Sequence, residues 1–382
     1  MLLRSLILTG AINGLFFILL LKNKPKSSNS DSILMLWMGI ISLQLGFYYD
    51  NLSVSPIFPV YLQLIGFSLP IISAPVFYFY IRSLSSGYSF KWRNIWTHLM
   101  PFLIFNGIAF FLHYTNHSYL FLKDGLPHFS SALNPWVTYF LTALLALIPG
   151  YYTVLSFLLL LRHQKRLPDN YSYTEKINLN WLKWMVISLL ILFIGLFLFI
   201  KYGVSYGLVR YPDLFAVVGA ILTIYVFFIG FCGLHQDAVF IDNMSIQEDI
   251  NEEDAIVINY KNSGLDDEKA DQIFARLKLH MDKEKPFLKE DLSLAMLAGE
   301  LGITSNQLSQ VINQKGRSNF FNFINGYRVA AVKDKFKDPA LAAYSILGIA
   351  YDSGFRSKSS FNKIFKETTG QTPLQCRKAV NS

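Results

Sequence analysis

The stretch Leu297 to Ile312 reads LAGELGITSNQLSQVI, and its spacing decides how the region around it folds. Leu297, Leu301, Ile303, Leu308 and Val311 fall where two short helices crossing at a tight turn must bury apolar side chains. Ala298 supplies the small residue needed where the helices touch. Gly302 supplies the turn, because a positive φ is costly for any residue with a Cβ. This is the pattern of a helix-turn-helix. An ordinary helical hairpin has the same spacing, so this unit alone assigns no role.

A second unit follows, ILGIAYDSGFRSKSSFNKIFKETTGQTPLQCRK, with its turn residue Gly354 placed 52 positions after Gly302. Ile349, Ala350, Gly354 and Phe355 repeat the alanine, glycine and apolar spacing, and Phe361, Ile364 and Phe365 supply the inner face of the next helix. Between the units Phe320, Ile324, Tyr327 and Ala331 recur at steps of four, three and four, one face of a long connecting helix. The prediction is two helix-turn-helix units joined by a helical rod.

These residues carry a resemblance. From about Gly264 to Lys378 the chain resembles the DNA-binding domain of AraC-type transcriptional regulators, with IAYDSGF through FNKIFKETTGQTP matching its most diagnostic stretch and NFFNFINGYRVAAVKDKF its linker helix. In architecture the whole chain is similar to a bacterial group in which this domain follows a multi-pass membrane region. The resemblance implies binding to double-stranded DNA through two recognition helices in successive major grooves. It also implies a homodimer, since one copy of such a domain grips DNA weakly.

The composition fits that arrangement. Of 382 residues, 52% are hydrophobic and 16% aromatic, and the mean hydropathy is +0.34, too apolar for a soluble two-domain protein. Cys232 and Cys376 are the two cysteines, too few and too far apart for a disulfide framework or a CxxC metal site. Apolar runs at Ser5–Leu21, Ile33–Tyr49, Val60–Ile81, Ile95–His113, Trp136–Leu161, Trp181–Ile200 and Leu214–Leu234 each reach or approach the roughly 20 residues that cross hydrocarbon. No small-residue cleavage site follows the first run, so it is expected to be retained. Lys and Arg are held on the cytoplasmic side of short loops. The loops after the first, third and fifth runs carry ten (Lys22, Lys24, Lys26, Arg82, Lys91, Arg93, Arg162, Lys165, Arg166, Lys176), and the opposite set (Arg4, Lys123, Lys201, Arg210) carries four. Seven crossings then place the N-terminus outside and everything after Leu234 in the cytoplasm, the localisation being a bacterial inner membrane.

Within the bundle, Pro70, Pro75, Pro101 and Pro149 interrupt helix hydrogen bonding and either open cavities or serve packing. Asn13, Gln44, Gln63 and Asn106 either line a pocket or bond between helices. His98, His113, His117 and His128 suggest a zinc site of the kind found in seven-helix hydrolases, but no intramembrane carboxylate accompanies them, and no metal or cofactor is expected. From His235 to Glu268, ten acidic residues face the single base Lys261, marking a solvated linker that also has the charge to compete with phosphate. From Leu301 to Ser382, twelve Lys and Arg face four acids, the footprint of a surface that neutralises phosphates.

Motifs for nucleotide binding, serine hydrolysis, zinc proteolysis and kinase chemistry are absent. The expected protein is all-α and not an enzyme: a seven-helix transmembrane bundle over 1–234, an acidic linker over 235–265, and an AraC-type domain over 266–382. Its DNA-binding candidates are Ser305, Asn306, Gln307 and Gln310 on the first recognition helix, opposite Leu308 and Val311, then Arg317, and Arg356, Lys358, Ser359, Asn362 and Lys363 on the second. Amides suit base edges, and cations suit either bases or phosphate. Besides DNA, the expected partners are membrane lipid, a second copy, and an unidentified small molecule or envelope signal. A membrane-bound lipid-active enzyme with a regulatory cytoplasmic domain is the competing reading, and the bundle either senses or only anchors.

Overall fold

The computed structural model describes residues 2–25, 27–53, 56–86, 95–116, 119–123, 126–130, 132–174, 177–198, 202, 206, 211–236 and 266–381. The acidic linker beyond Gln236 lies outside the described residues, as do His117, Lys26, Lys91, Arg93, Lys176, Lys201, Arg210 and the side chain of His128. The chain divides into two compact units, Met1–Leu161 with Asn180–Ile241, and Arg162–Leu179 with Asp242–Ser382.

The first unit is built from α1 (Leu2–Lys22), α2 (Asn29–Asn51), α3 (Val60–Ser68), α4 (Pro70–Ser86), α5 (Ile95–Thr115), most of α6 (Pro135–Asn170), α7 (Asn180–Leu198) and α8 (Tyr211–His235). Six helices among the described residues are long and apolar enough to cross a membrane, with α3 and α4 together forming one of them, Val60–Ser85. The seventh expected crossing corresponds to α7, whose apolar stretch Asn180–Gly195 falls short of that length. One element was not expected. β1 (Leu120–Lys123) and β2 (Leu126–Phe129) pair antiparallel, Leu120 opposite Phe129 and Lys123 opposite Leu126. The intervening Asp124-Gly125 is the pair that favours a two-residue hairpin loop.

Small residues let the bundle helices close. A Cβ on Gly10 would strike Thr223, and one on Gly14 would strike the Ser42 hydroxyl, so α1 packs closely on α8 and α2 through residues without side chains. At the start of α2, Ser28 accepts from the Asp31 amide while the Asp31 carboxylate accepts from the Ser28 amide, a reciprocal cap. Lys24 lies 3.2 Å from the same carboxylate and donates to the carbonyls of Gly233 and Gln236, which meets orphan acceptors at the end of α8. The polar residues of the runs are bonded within the protein. Asn106 donates to Ser68 across helices at 2.8 Å, Gln44 to Tyr48, Gln63 to the Phe58 carbonyl and Asn13 to the Thr9 carbonyl. His98 and His113 sit near opposite ends of α5, about 22 Å apart at 1.5 Å per residue, so that helix does not bring them together.

The second unit contains α9 (Asp267–Lys283), α10 (Leu294–Leu301), α11 (Ser305–Lys315), α12 (Phe320–Lys337), α13 (Ile346–Tyr351), α14 (Lys358–Thr369) and α15 (Pro373–Asn381). Two cores meet at α12. Leu277, Met281, Phe287, Leu297, Leu308 and Ile312 surround Phe320 and Ile324, with Tyr327 and Ala331 packed at the margin as their spacing predicts. On the other side Ile349, Ala350, Phe355, Phe361, Phe365 and Cys376 surround Val329, Val332 and Phe336. Thus α12 has a second apolar side beyond the one expected. Ala350 is fully buried in that core. Ala350→Leu forces its added isopropyl group on close-packed neighbours and is expected to destabilise the unit by about 1–3 kcal/mol. Thermal unfolding of the purified protein reads this, and an unchanged midpoint would contradict the packing.

Candidate nucleic-acid interface

Each helix-turn-helix is assembled by the same local devices. Ser293 caps α10 by accepting from the Met296 amide, and α10 ends at Gly302 in the left-handed region, φ 65°. Thr304 then opens α11 with a capping box: its hydroxyl accepts from the Gln307 amide at 3.2 Å, and the Gln307 side chain accepts from the Thr304 amide at 3.1 Å. In the second unit Ser345 caps α13, Gly354 turns the chain with φ 87°, and Ser357 caps α14 by accepting from the Ser360 amide. Ala298 is 1% exposed and Ala350 is buried, as helices in contact require.

The outward face of α11 differs from expectation at one residue. Asn306 is exposed, and Ser305 and Gln307 are half-buried, but Gln310 is 4% exposed although helix spacing puts it about 200° around from Leu308. The partly exposed residues in its place are Ser309 and Asn313, three and seven positions after Asn306 on the same side of the helix. Spacing alone does not separate them, because Gln310 lies four positions after Asn306. Gln307 spends its side-chain oxygen on the cap. On α14 the expected set agrees with the surface: Lys358, Ser359, Asn362 and Lys363 are exposed, as are Arg356 just before it and Arg317 after α11. Lys366, exposed three residues beyond Lys363, extends the same face and was not among the candidates.

Several of the twelve bases serve the fold. Lys315 lies 2.8 Å from both Asp267 and Asp271 and ties α11 to α9; these hydrogen bonds raise its pKa above the ordinary lysine value. Lys335 donates to the Asp352 carbonyl at the end of α13, and Arg377 donates to the carbonyls of Leu341, Ala342 and Tyr344. Arg328, on α12, is 1% exposed. Its guanidinium donates to the carbonyls of Phe287, Lys289 and Ser172, to the Ser172 hydroxyl and to Asn325. Burial lowers its pKa to about 10, with Glu290 and Asp291 acting the other way, so it stays charged at neutral pH. Eight of the twelve remain outward: Arg317, Lys333, Lys337 and Lys378, and at α14 the group Arg356, Lys358, Lys363 and Lys366.

The two turns differ in what they tolerate. A Cβ on Gly302 meets nothing within 4 Å, whereas one on Gly354 would collide with the Phe287 carbonyl and come within 2.9 Å of Arg328 Nε. Gly302→Ala carries only the left-handed backbone penalty, about 1–2 kcal/mol. Gly354→Ala adds a backbone collision and is expected to be the more destabilising. Unfolding midpoints in the reverse order would contradict this geometry.

Comparison with known proteins agrees with the helix-turn-helix reading of this region. Residues 297–379 match the family model described as a helix-turn-helix domain. Proteins named uncharacterized HTH-type transcriptional regulators from Staphylococcus aureus strains COL, MSSA476 and N315 are 33% identical over 113 residues, 30% of this chain. The match spans 14% of the length of those relatives. No solved structure matches the chain. The C-terminal region is an AraC-type helix-turn-helix domain, and the apolar helices before it fit a membrane region.

Proposed function

We propose that this chain, with its AraC-type domain behind a membrane region, is a one-component transcriptional regulator that binds specific double-stranded DNA from the membrane. The observation that carries the reading is the pair of capped helix-turn-helix units, the second of which presents Arg356, Lys358, Ser359, Asn362, Lys363 and Lys366 outward. Asn306 on α11 and Asn362 on α14 are the base-reading candidates, because an exposed amide can pair bidentately with adenine. Arg317, Lys358, Lys363 and Lys366 have the exposure and charge to hold phosphates. Gln307, engaged in its own cap, and Gln310, buried, leave that set.

Selection of bound sequences with the purified full-length protein tests it. Asn306→Ala should relax preference at one base position at about 1–3 kcal/mol, while Lys363→Ala should weaken binding to all sequences and lower the salt slope by about one. Equal losses on specific and random DNA for Asn306→Ala would remove it from the reading set.

In this reading the N-terminus is outside and the domain cytoplasmic, and two copies act together under an external signal received by the bundle. The loop-charge asymmetry supports the orientation. So does the compact unit that holds both helix-turn-helix units, because it also includes Arg162–Leu179, one of the loops assigned to the cytoplasm. Alkaline phosphatase fused after Leu234 should be inactive, and fused near Lys123 active. The reverse pattern would reject the orientation.

A further inference from the structure

The segment between α6 and α7 is seated in the DNA-binding unit. Tyr171, 7% exposed, forms an antiparallel bridge with Ser293, the cap of α10. Ser172, 1% exposed, uses each of its polar groups: its amide and hydroxyl donate to the Leu292 carbonyl, its hydroxyl accepts from Arg328, and its carbonyl accepts from Arg328 and Asn325. Two of the five hydrogen bonds of the buried guanidinium thus end on this one residue. Upstream, His163 and Gln164 bond the carbonyls of Ile177 and Asn178, which folds the segment back on itself. A buried charge held this way leaves the segment a unique seat.

Tyr173 comes next, and its ring lies 4.9 Å from the Arg356 guanidinium carbon. Both residues line a cleft of about 300 Å³, together with Ser172, Glu290, Arg328 and Ser360. Arg356 immediately precedes Ser357, the cap of the second recognition helix. A guanidinium stacked on an aromatic face is held by the ring quadrupole with its in-plane N–H donors open, so Arg356 reaches a phosphate or base edge beyond that pose only by leaving the ring.

We propose that residues 171–173 form a docked strap that competes with DNA for Arg356, so that the loop joining two membrane helices directly controls the second helix-turn-helix. The inference rests on the DNA-binding reading above. Seated, the strap lowers DNA affinity. Displaced by movement of the α6–α7 hairpin, it releases Arg356. This route is separate from the acidic linker, since the strap reaches the domain through the chain ends of α6 and α7.

The test uses the full-length protein in phospholipid nanodiscs and a mixed-sequence DNA duplex at low salt. Tyr173→Ala should bind the duplex about two- to fivefold more tightly, the range of an exposed cation–π contact. Tyr173→Phe, which keeps the ring, should match the wild type, and the gain should vanish when Arg356→Ala is combined with Tyr173→Ala. In the wild type, hydrogen exchange at the Ser172 amide should be slow without DNA and faster with the duplex bound. If the wild type binds the duplex while Ser172 stays protected, or if Tyr173→Ala binds no more tightly, the strap does not compete and the DNA-binding reading stands. If no duplex binds to any variant, both readings fall.

Discussion

The second unit depends on one buried charge. A guanidinium with 1% exposure has lost its water, and a charge so placed is tolerated only when nearly every donor finds an acceptor. Arg328 meets that condition mainly with backbone carbonyls, and those of Phe287, Lys289 and Ser172 come from two separate segments that precede α12 in the sequence. Because it projects from the helix that separates the two cores, its hydrogen bonds set the position of the loop before α10. Gly354 completes the arrangement, since its backbone lies where only a residue without Cβ can approach Phe287 and Arg328 Nε. The turn of the second helix-turn-helix is therefore built against the approach to the first, and the two units share a centre.

This sharing decides how charge is used. Lys315, Arg328, Lys335 and Arg377 together tie α9 to α11, loops to α12, and helix ends to neighbouring segments. A net positive count therefore overstates the charge presented outward. What remains on α14 is grouped along one side, whereas α11 presents mostly amides and hydroxyls. Under the proposed function the two recognition helices divide the work, with α14 supplying more of the electrostatic attraction.

Much of the DNA-binding unit was legible because its determinants are local. Turn glycines, small contact residues and apolar spacing act within one helical hairpin, so Gly302, Gly354, Ala298 and Ala350 stand where their pattern predicts. The second side of α12 is hidden in the sequence, because Val329, Val332 and Phe336 begin only where the first stripe of Phe320, Ile324 and Tyr327 is running out through Ala331. Gln310 gives no such signal either: helix spacing puts it about 200° around from Leu308, on the side of the exposed Asn306, yet it is 4% exposed. Ser172 carried no signal at all. A serine in a polar loop acquires its role only from a partner 156 positions away, which no periodicity reports.

That separation bears on how the chain is made. Ser172 precedes Leu292 by 120 positions and Arg328 by 156, and α7 and α8 lie between. Helix-turn-helix contacts close short loops and form early, while contacts spanning such a distance carry a larger closure entropy and come late. During synthesis the strap leaves the ribosome well before the domain that receives it, so the nascent domain completes its fold on a piece of chain already fastened between two apolar helices. A domain produced from Gly264 onward has no such piece. It must close around a guanidinium with two of its hydrogen bonds unmade, which makes the isolated domain a different folding problem from the same residues at the end of the full chain.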